Sequence, residues 1–273
     1  MSFFTHRGKS VFYQEEGTGA PILILNGIMM STKSWVPFVP SLSAQNRLIR
    51  VDFFDQGQTD KLPGESYTQE IQIDLLVGLL DHLRLDKVHV VGISYGGEVA
   101  LRFAIDHPDR VDRLVLFNTC ANTNPWIRDI GRGWIAAGRT RDGKAYYQTT
   151  IPVIYSPLYY QSRLDWMRRR EAVLVPIFSD PVFLDAMERL TLSAESFDVR
   201  DRLKEVRAKT LVVSAEEDYL TPVAEQAVLH REIPGAEWIK IPLAGHASMY
   251  ERPLLFTTLI LGFLNVIDVV YPI

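Results

Sequence analysis

The stretch Val88-His89-Val90-Val91-Gly92-Ile93-Ser94-Tyr95-Gly96-Gly97 decides the fold of this chain. A short strand-like run leads into a Gly-x-Ser-x-Gly turn, and a helical pattern follows. This order predicts a tight strand-to-helix turn that exposes the hydroxyl of Ser94 at a helix N-terminus, where free N–H groups favour developing negative charge. Because side chains at Gly92 and Gly96 would collide with neighbouring backbone, the turn requires glycine at both positions.

Strand-like and helical patterns alternate on both sides of this turn. Alternation of this kind predicts βαβ units, and therefore an α/β fold with a mostly parallel sheet flanked by helices. The predicted strands cover residues 11–15, 21–25, 48–51, 88–91, 111–117, 210–213 and 238–241, and the predicted helices cover residues 68–83, 98–107, 222–233 and a terminal segment that starts just after Pro253.

The alternation stops between residues 122 and 195, a stretch too long for a plain loop. We predict a helical cap insertion there, lying over a core domain made of residues 1–121 and 196–273. Most aromatic side chains of the insertion are expected to form its own core, and some to line an apolar substrate pocket. The candidates for contact with substrate are Trp126, Tyr155 and Tyr159.

Composition and charge narrow the class of protein. The 273 residues are 47% apolar and 23% charged, which is ordinary for a globular enzyme, and the formal net charge of −4 argues against a nucleic-acid partner. The single cysteine, Cys120, forms no intramolecular disulfide, and the first residues carry no signal-peptide pattern, so we expect a cytoplasmic protein. The apolar segment 256–273 reaches the length of a short membrane span, but Asp268 and the lack of flanking basic residues favour a buried terminal helix.

A general base and an acid are expected on loops that open at the same sheet edge as Ser94. His246 lies in such a loop, after a strand and before a helix, whereas the other five histidines have structural or surface positions (His6, His82, His89, His107 and His230). The acid should follow the strand at 210–213, where Asp218 lies closest to the next helix and Glu216 and Glu217 are rivals. The backbone N–H groups of Ile28 and Tyr95 are the candidates for an oxyanion hole.

Over essentially its whole length the chain resembles the α/β-hydrolase superfamily. The resemblance rests on Asn26-Gly27, Asp52…Gly57…Thr59, Gly92-x-Ser94-x-Gly96-Gly97, Asp218…Thr221-Pro222 and Gly245-His246. It implies a capped serine hydrolase of the esterase type with a Ser94, Asp218 and His246 triad. A serine nucleophile disfavours the dehalogenase and epoxide hydrolase branches, which use aspartate, and indicates an acyl-enzyme.

Three positions depart from the usual pattern of this superfamily. Asn26 stands where histidine is usual, Gly57 is the single glycine of a motif that usually has two, and Tyr95 follows the serine where Met or Gln is frequent. Asn26 and the glycine motif give a local resemblance to the hydroxyacyl-ester synthase of rhamnolipid assembly, which acts on activated acyl chains.

The sequence therefore predicts a hydrolase of carboxylic esters that uses neither metal nor organic cofactor and acts on a small ester or acyl compound. The alternative is an acyltransferase or thioesterase acting on acyl chains bound to coenzyme A or a carrier protein. Nine basic residues against three acidic ones within residues 128–170 suit an anionic carrier, but a solvated helix face explains them adequately. A C–C bond hydrolase, a cofactor-free haloperoxidase-like enzyme and a non-catalytic binding protein share the same fold. The sequence leaves the natural substrate and the oligomeric state open.

Overall fold

A central sheet organises the part of the chain that the computed structural model describes, residues 2–266. Its strands are β1 (Ser2–His6), β2 (Lys9–Glu16), β3 (Ala20–Leu25), β4 (Asn46–Val51), β5 (Val88–Ile93), β6 (Val111–Phe117), β7 (Lys209–Ala215) and β8 (Glu237–Ile241). Their order across the sheet is β1-β2-β4-β3-β5-β6-β7-β8. The β2 strand runs antiparallel to β1 and β4, and all the other neighbouring strands are parallel. The predicted α/β fold is confirmed.

Helices pack on both faces of this sheet. The α-helices are α1 (Val39–Leu42), α2 (Glu70–His82), α3 (Tyr95–Asp106), α4 (Pro125–Arg139), α5 (Gly143–Ile154), α6 (Pro157–Ser162), α7 (Leu164–Phe178), α8 (Pro181–Ser193), α9 (Val223–Glu232), α10 (Ser248–Glu251) and α11 (Pro253–Leu264), and 3₁₀ helices cover Thr32–Phe38, Pro108–Arg110 and Arg200–Glu205. Apolar residues of α2, α3 and α9 belong to one buried cluster, and those of α1 and α11 belong to the other.

Alternate residues of a strand pack into different buried clusters, because successive side chains point to opposite faces of a sheet. In β3, Leu23 and Leu25 join the cluster of α2 and α3, whereas Ile22 and Ile24 join the cluster of Phe256 in α11. A strand that is buried on both faces must be apolar at every position, which is why β3 reads as an unbroken apolar run.

Each predicted strand lies inside an observed one, but two local predictions were wrong. The helix predicted from Glu98 begins three residues earlier, because the turn at Ser94 passes directly into α3. The edge strand β1 was not predicted; it pairs with β2 around a turn in which Arg7 and Gly8 both have positive φ.

The predicted terminal helix corresponds to α11, which ends at Leu264, and residues 267–273 of that segment lie outside the described residues. Over residues 2–266, every helix is too short or too polar to cross a lipid bilayer.

The helices α4 to α8 occupy the chain between β6 and β7, as the sequence indicated for residues 122–195. The two ends of this insertion lie side by side, since Asn122 forms an isolated β-bridge with Asp198. The buried cluster of α2 and α3 continues without a break into the insertion through residues such as Tyr147 and Leu190. The helices are therefore packed as one body with the sheet, and the division into a core domain and a cap stays a prediction.

A buried ion pair anchors the insertion to the rest of the molecule. The carboxylate of Asp55 accepts from Nε and Nη2 of Arg189 in α8, at 2.9 and 2.6 Å. The hydroxyl of Tyr67 donates to the same carboxylate at 2.5 Å. The Asp55 side chain is fully buried and that of Arg189 is 14% exposed, so bulk solvent screens this two-point contact little.

Candidate active site

Ser94 occupies a strained turn at the carboxyl end of β5. Its backbone angles are φ 54° and ψ −124°, a combination that costs roughly 1–3 kcal/mol for a residue with a side chain. A Cβ atom at Gly96 would lie 2.5 Å from the carbonyl oxygen of Asn26, and one at Gly92 would lie 2.5 Å from the carbonyl oxygen of Gly96. The steric need for both glycines, expected from the sequence, is confirmed.

The structure brings Asp218 and His246 together. Nδ1 of His246 lies 2.8 Å from Oδ2 of Asp218, which is an ordinary hydrogen-bond distance. The other carboxylate oxygen, Oδ1, accepts from the backbone N–H groups of Leu220 and Thr221 at 2.9 and 2.8 Å, and the Thr221 hydroxyl donates to Oδ2 at 2.8 Å. Both side chains are buried, and the Asp218 carboxylate has five polar partners: these three donors, Nδ1 of His246 and, at 3.5 Å, Nε2 of Gln226.

The rival acids form no hydrogen bond or ion pair with His246 within residues 2–266. Glu216 is exposed and Glu217 is partly exposed, and their backbone N–H groups bond to the β8 strand end and to Ala244. The carboxylate that reaches the imidazole is that of Asp218.

Asn118, which the sequence analysis missed, joins the acid loop to the base loop. Its side-chain Nδ2 donates to the carbonyl oxygen of His246 at 2.7 Å, and its Oδ1 accepts from the N–H of Ala215 at 3.2 Å. Its own carbonyl oxygen lies 3.0 Å from Oγ1 of Thr221. The signal that was available is a polar residue directly after the apolar strand 111–117, at the sheet edge that carries the other loops.

In the loop after β3, Asn26 is joined by a hydrogen bond to Gln56, a residue of the motif that has a single glycine. Asn26 is fully buried, donates to Gln56 Oε1 at 2.9 Å and accepts from Trp35 Nε1 at 2.6 Å. Gln56 in turn donates to the carbonyl oxygens of Gly27 and Ile28, at 2.9 and 3.2 Å. The amide of Asn26 therefore fixes the backbone that carries the Ile28 N–H group and does not face a substrate.

Two small cavities meet at Ser94. The first, which we call the His246 cavity, has a volume of about 90 Å³, and the second, the Glu98 cavity, has about 60 Å³. Both are lined by Ile28, Ser94, Trp134 and Leu220. The His246 cavity is also lined by His246, Met29, Met30, Ile154, Arg170 and Tyr250, and the Glu98 cavity by Tyr95, Glu98, Thr123, Ile127, Arg128 and Glu195. Among residues 2–266, no three His, Cys, Asp or Glu side chains are grouped as metal ligands.

The aromatic candidates from the sequence lie outside both sets of lining residues. Trp126 is 56% exposed and donates from Nε1 to the carbonyl oxygen of Tyr219 at 3.0 Å. Tyr155 and Tyr159 stack on each other at 5.8 Å and pack against Trp166. Trp134, which was not singled out, lines both cavities, because only the docking of α4 on the core decides which aromatic ring faces Ser94.

The three arginines at 168–170 do not form one charged surface. Arg168 pairs with Glu171 at 2.8 Å and Arg169 pairs with Asp165 at 3.0 Å, and both side chains are mostly exposed. Arg170 instead lines the His246 cavity. The exposed charges are thus compensated by neighbours on the same helix, which weakens the case for a docking face for an anionic carrier.

A buried carboxyl group lies at the end of the Glu98 cavity. Glu98 accepts from Gln69 Nε2 at 2.6 Å and from the Cys120 thiol at 3.6 Å. Burial raises the pKa of Glu98 from 4.5 to about 7, and these two hydrogen bonds lower it in part.

We expect Glu98→Gln to stabilise the protein at alkaline pH. A raised pKa in the folded state means that Glu98 favours folding below its unfolded pKa of 4.5 and that this contribution is lost as the pH rises through about 7. The gain of the variant over the native chain in free energy of unfolding should therefore increase by about 3 kcal/mol between acid pH and about pH 8.5. Urea unfolding at the two pH values measures this gain. Glu70→Gln is the control, because the Glu70 side chain is 68% exposed, and a gain independent of pH would contradict the prediction.

Comparisons with known proteins agree with this architecture. A family model described as alpha/beta hydrolase fold matches residues 20–253. The solved structure of MGS-M2, an alpha/beta hydrolase enzyme from a Medee basin deep-sea metagenome library, is 49% identical, with 100% of both chains covered and a TM-score of 0.97. The enol-lactonase from Burkholderia xenovorans LB400 is 25% identical over 97% of this chain and 100% of its own, with a TM-score of 0.82.

A curated relative from Azorhizobium caulinodans, named "Putative carbamate hydrolase RutD", is 27% identical over 97% of this chain and 99% of its own length. The family model alone covers far more than half of the sequence. This chain therefore belongs to the α/β-hydrolase family of hydrolytic enzymes.

Proposed function

We propose that this enzyme hydrolyses carboxylic esters through an acyl-enzyme on Ser94, with His246 as general base and Asp218 as the acid that orients it. The observation that carries the proposal is the 2.8 Å contact of Nδ1 of His246 with the buried Asp218 carboxylate, beside a cavity that both His246 and Ser94 line. A serine at a strained turn, a base and an orienting acid are the parts that nucleophilic acyl transfer requires.

The chemistry follows from these positions. Oγ of Ser94 attacks the ester carbonyl carbon and its proton passes to Nε2 of His246, while Asp218 stays ionised and stabilises the imidazolium through Nδ1–H. The oxyanion accepts hydrogen bonds from the N–H groups of Ile28 and Tyr95. The C–O bond then breaks, and His246 gives the proton to the departing alkoxide. Water, deprotonated by His246, attacks the acyl-enzyme and releases the carboxylic acid and Ser94. Every step uses groups of the chain and water alone.

Cavity size favours a short acyl group. The His246 cavity, at about 90 Å³, and the Glu98 cavity, at about 60 Å³, are both small beside the roughly 300–1,000 Å³ of pockets that hold drug-sized ligands. We propose that the acyl chain occupies the first cavity and the alcohol portion the second, so that a chain of a few carbon atoms reacts best.

The names of the relatives fit an acyl substrate. An enol-lactone is an ester, and a carbamate carries the same carbonyl carbon bound to nitrogen and oxygen. The alternative of acyl transfer from coenzyme A or a carrier protein is less well supported, because Arg168 and Arg169 are paired on their own helix and Arg170 is turned towards the cavity.

A burst experiment with covalent mapping tests the proposal. Mixing the enzyme rapidly with p-nitrophenyl esters of increasing acyl length should give a burst of nitrophenol close to one equivalent per chain, largest in rate for short acyl groups. Acid quenching followed by tryptic mass spectrometry should place the acyl group on Ser94, in peptide 88–102. An acyl group on another residue, or turnover of no ester of any length, would overturn the proposal.

A further inference from the structure

Arg170 differs from its neighbours in α7. Arg168 and Arg169 extend into solvent, each beside a carboxylate. The Arg170 side chain turns the other way and lines the His246 cavity together with Ser94 and His246. A positively charged side chain therefore lines the same cavity as the candidate nucleophile.

The guanidinium of Arg170 is held by aromatic rings instead of by an anion. It lies over the ring of Tyr250 at 4.6 Å and over that of Trp166 at 5.4 Å. Its Nε is buried and has no hydrogen-bond partner, and across residues 2–266 no carboxylate forms an ion pair with it. The guanidinium also forms a hydrogen bond with Tyr250, and stacking leaves its remaining edge donors available to a ligand.

Arg170 is partly exposed, and a charge that is largely withdrawn from solvent normally has a partner of opposite sign, so the arrangement has a cost without a ligand. Three other arginines of the insertion show the usual solution: Arg139 pairs with Glu188, Arg141 with Asp185 and Arg189 with Asp55. Ring contacts compensate only part of the cost. A second buried donor without a partner, the hydroxyl of Tyr155, belongs to the same group of rings as Trp166.

We propose that the natural substrate carries a carboxylate which Arg170 binds while the scissile acyl carbon lies at Ser94. The substrate class is a short acyl compound with a second, ionised carboxyl group, such as the monoester of a small dicarboxylic acid. A planar guanidinium matches a carboxylate with two parallel hydrogen bonds. A single cation among apolar side chains such as Met29, Met30 and Leu174 suits one negative charge better than the two of a phosphate.

This inference rests on the proposed function for its kinetic arm, and a binding arm tests it independently. In the Ser94→Ala background, butyrate and the neutral butyramide are titrated while tryptophan fluorescence is followed, since Trp134 and Trp166 lie at or beside the cavity. Butyrate should bind about 10- to 100-fold more tightly than butyramide, and Arg170→Met should remove that preference. Arg169→Met is the matched control and should keep it.

The kinetic arm compares monomethyl succinate with methyl butyrate in a pH-stat. The ratio of kcat/KM for the anionic ester to that for the neutral ester should fall at least about tenfold in Arg170→Met and stay unchanged in Arg169→Met. Should Arg170→Met fail to fold, Arg170→Lys serves in both arms, with a smaller loss of preference because the ammonium keeps the charge and loses the planar fork. Equal binding of butyrate and butyramide, or a preference that survives in Arg170→Met, would overturn the inference. If neither ester were turned over, the proposed function would be contradicted. The role of Arg170 would then be decided by the binding of butyrate and butyramide.

Discussion

Replacing Ser94 with alanine should lower kcat for the preferred ester by about 10⁵- to 10⁶-fold, the scale of loss when a nucleophilic serine is removed. Oγ of Ser94 is the atom proposed to form the acyl bond. Without it no acyl-enzyme forms, and water would have to attack the ester directly. Binding should change little, because the methyl group of alanine keeps the shape of the strained turn at φ 54°.

Steady-state kinetics and ligand binding on the same preparation measure both effects. Ser34→Ala is the matched control: Ser34 lines the same cavity but lies on the 3₁₀ helix Thr32–Phe38, so its loss should cost less than about tenfold. Activity of Ser94→Ala close to that of the native chain would remove Ser94 as nucleophile.

Asp218→Asn should lower kcat by about 10⁴-fold while leaving the fold intact. The amide that replaces the carboxylate presents either a donor to Nδ1 of His246 or a weaker acceptor, so the imidazole loses the tautomer that accepts a proton at Nε2. The backbone donors of Leu220 and Thr221 then also face a neutral oxygen.

The rate loss is measured with the preferred ester, and circular dichroism checks the fold. Glu217→Gln is the control one residue away, where a partly exposed carboxylate has no contact with the base. A large loss of activity in Glu217→Gln, together with near-native activity in Asp218→Asn, would show that Glu217 and not Asp218 is the acid.

Most strands and helices of the fold could be predicted from local sequence patterns. A strand segment that is buried on both faces must be apolar, so β3 and residues 114–117 of β6 were visible as apolar runs. The need for glycine at 92 comes from backbone atoms four and five residues away, whereas that at 96 comes from the end of β3, about 70 residues away, and was recognised only through the Gly-x-Ser-x-Gly motif. The edge strand β1 has only one buried residue, Phe4, and therefore lacked such a run.

The contents of the cavity could not be predicted in the same way. Helical periodicity shows which residues of a helix share a face, but not how the helix docks on the sheet. Arg168, Arg169 and Arg170 are indistinguishable in sequence, and only the packing of α7 against Tyr250 separates the cavity residue from the surface pair. The link between Asn26 and Gln56 was not visible in the sequence, because their hydrogen bond joins loops 30 residues apart.

The bonds of Asn118 make two loops behave as one body. One amide holds the carbonyl of His246 and the N–H of Ala215, so the imidazole and the Asp218 loop are displaced together when the sheet edge fluctuates. We expect these bonds to restrict relative motion between the proposed base and the proposed acid and to leave their shared motion free. The entropy of aligning the two groups is lost once, when the chain folds, and does not have to be lost again in each catalytic cycle.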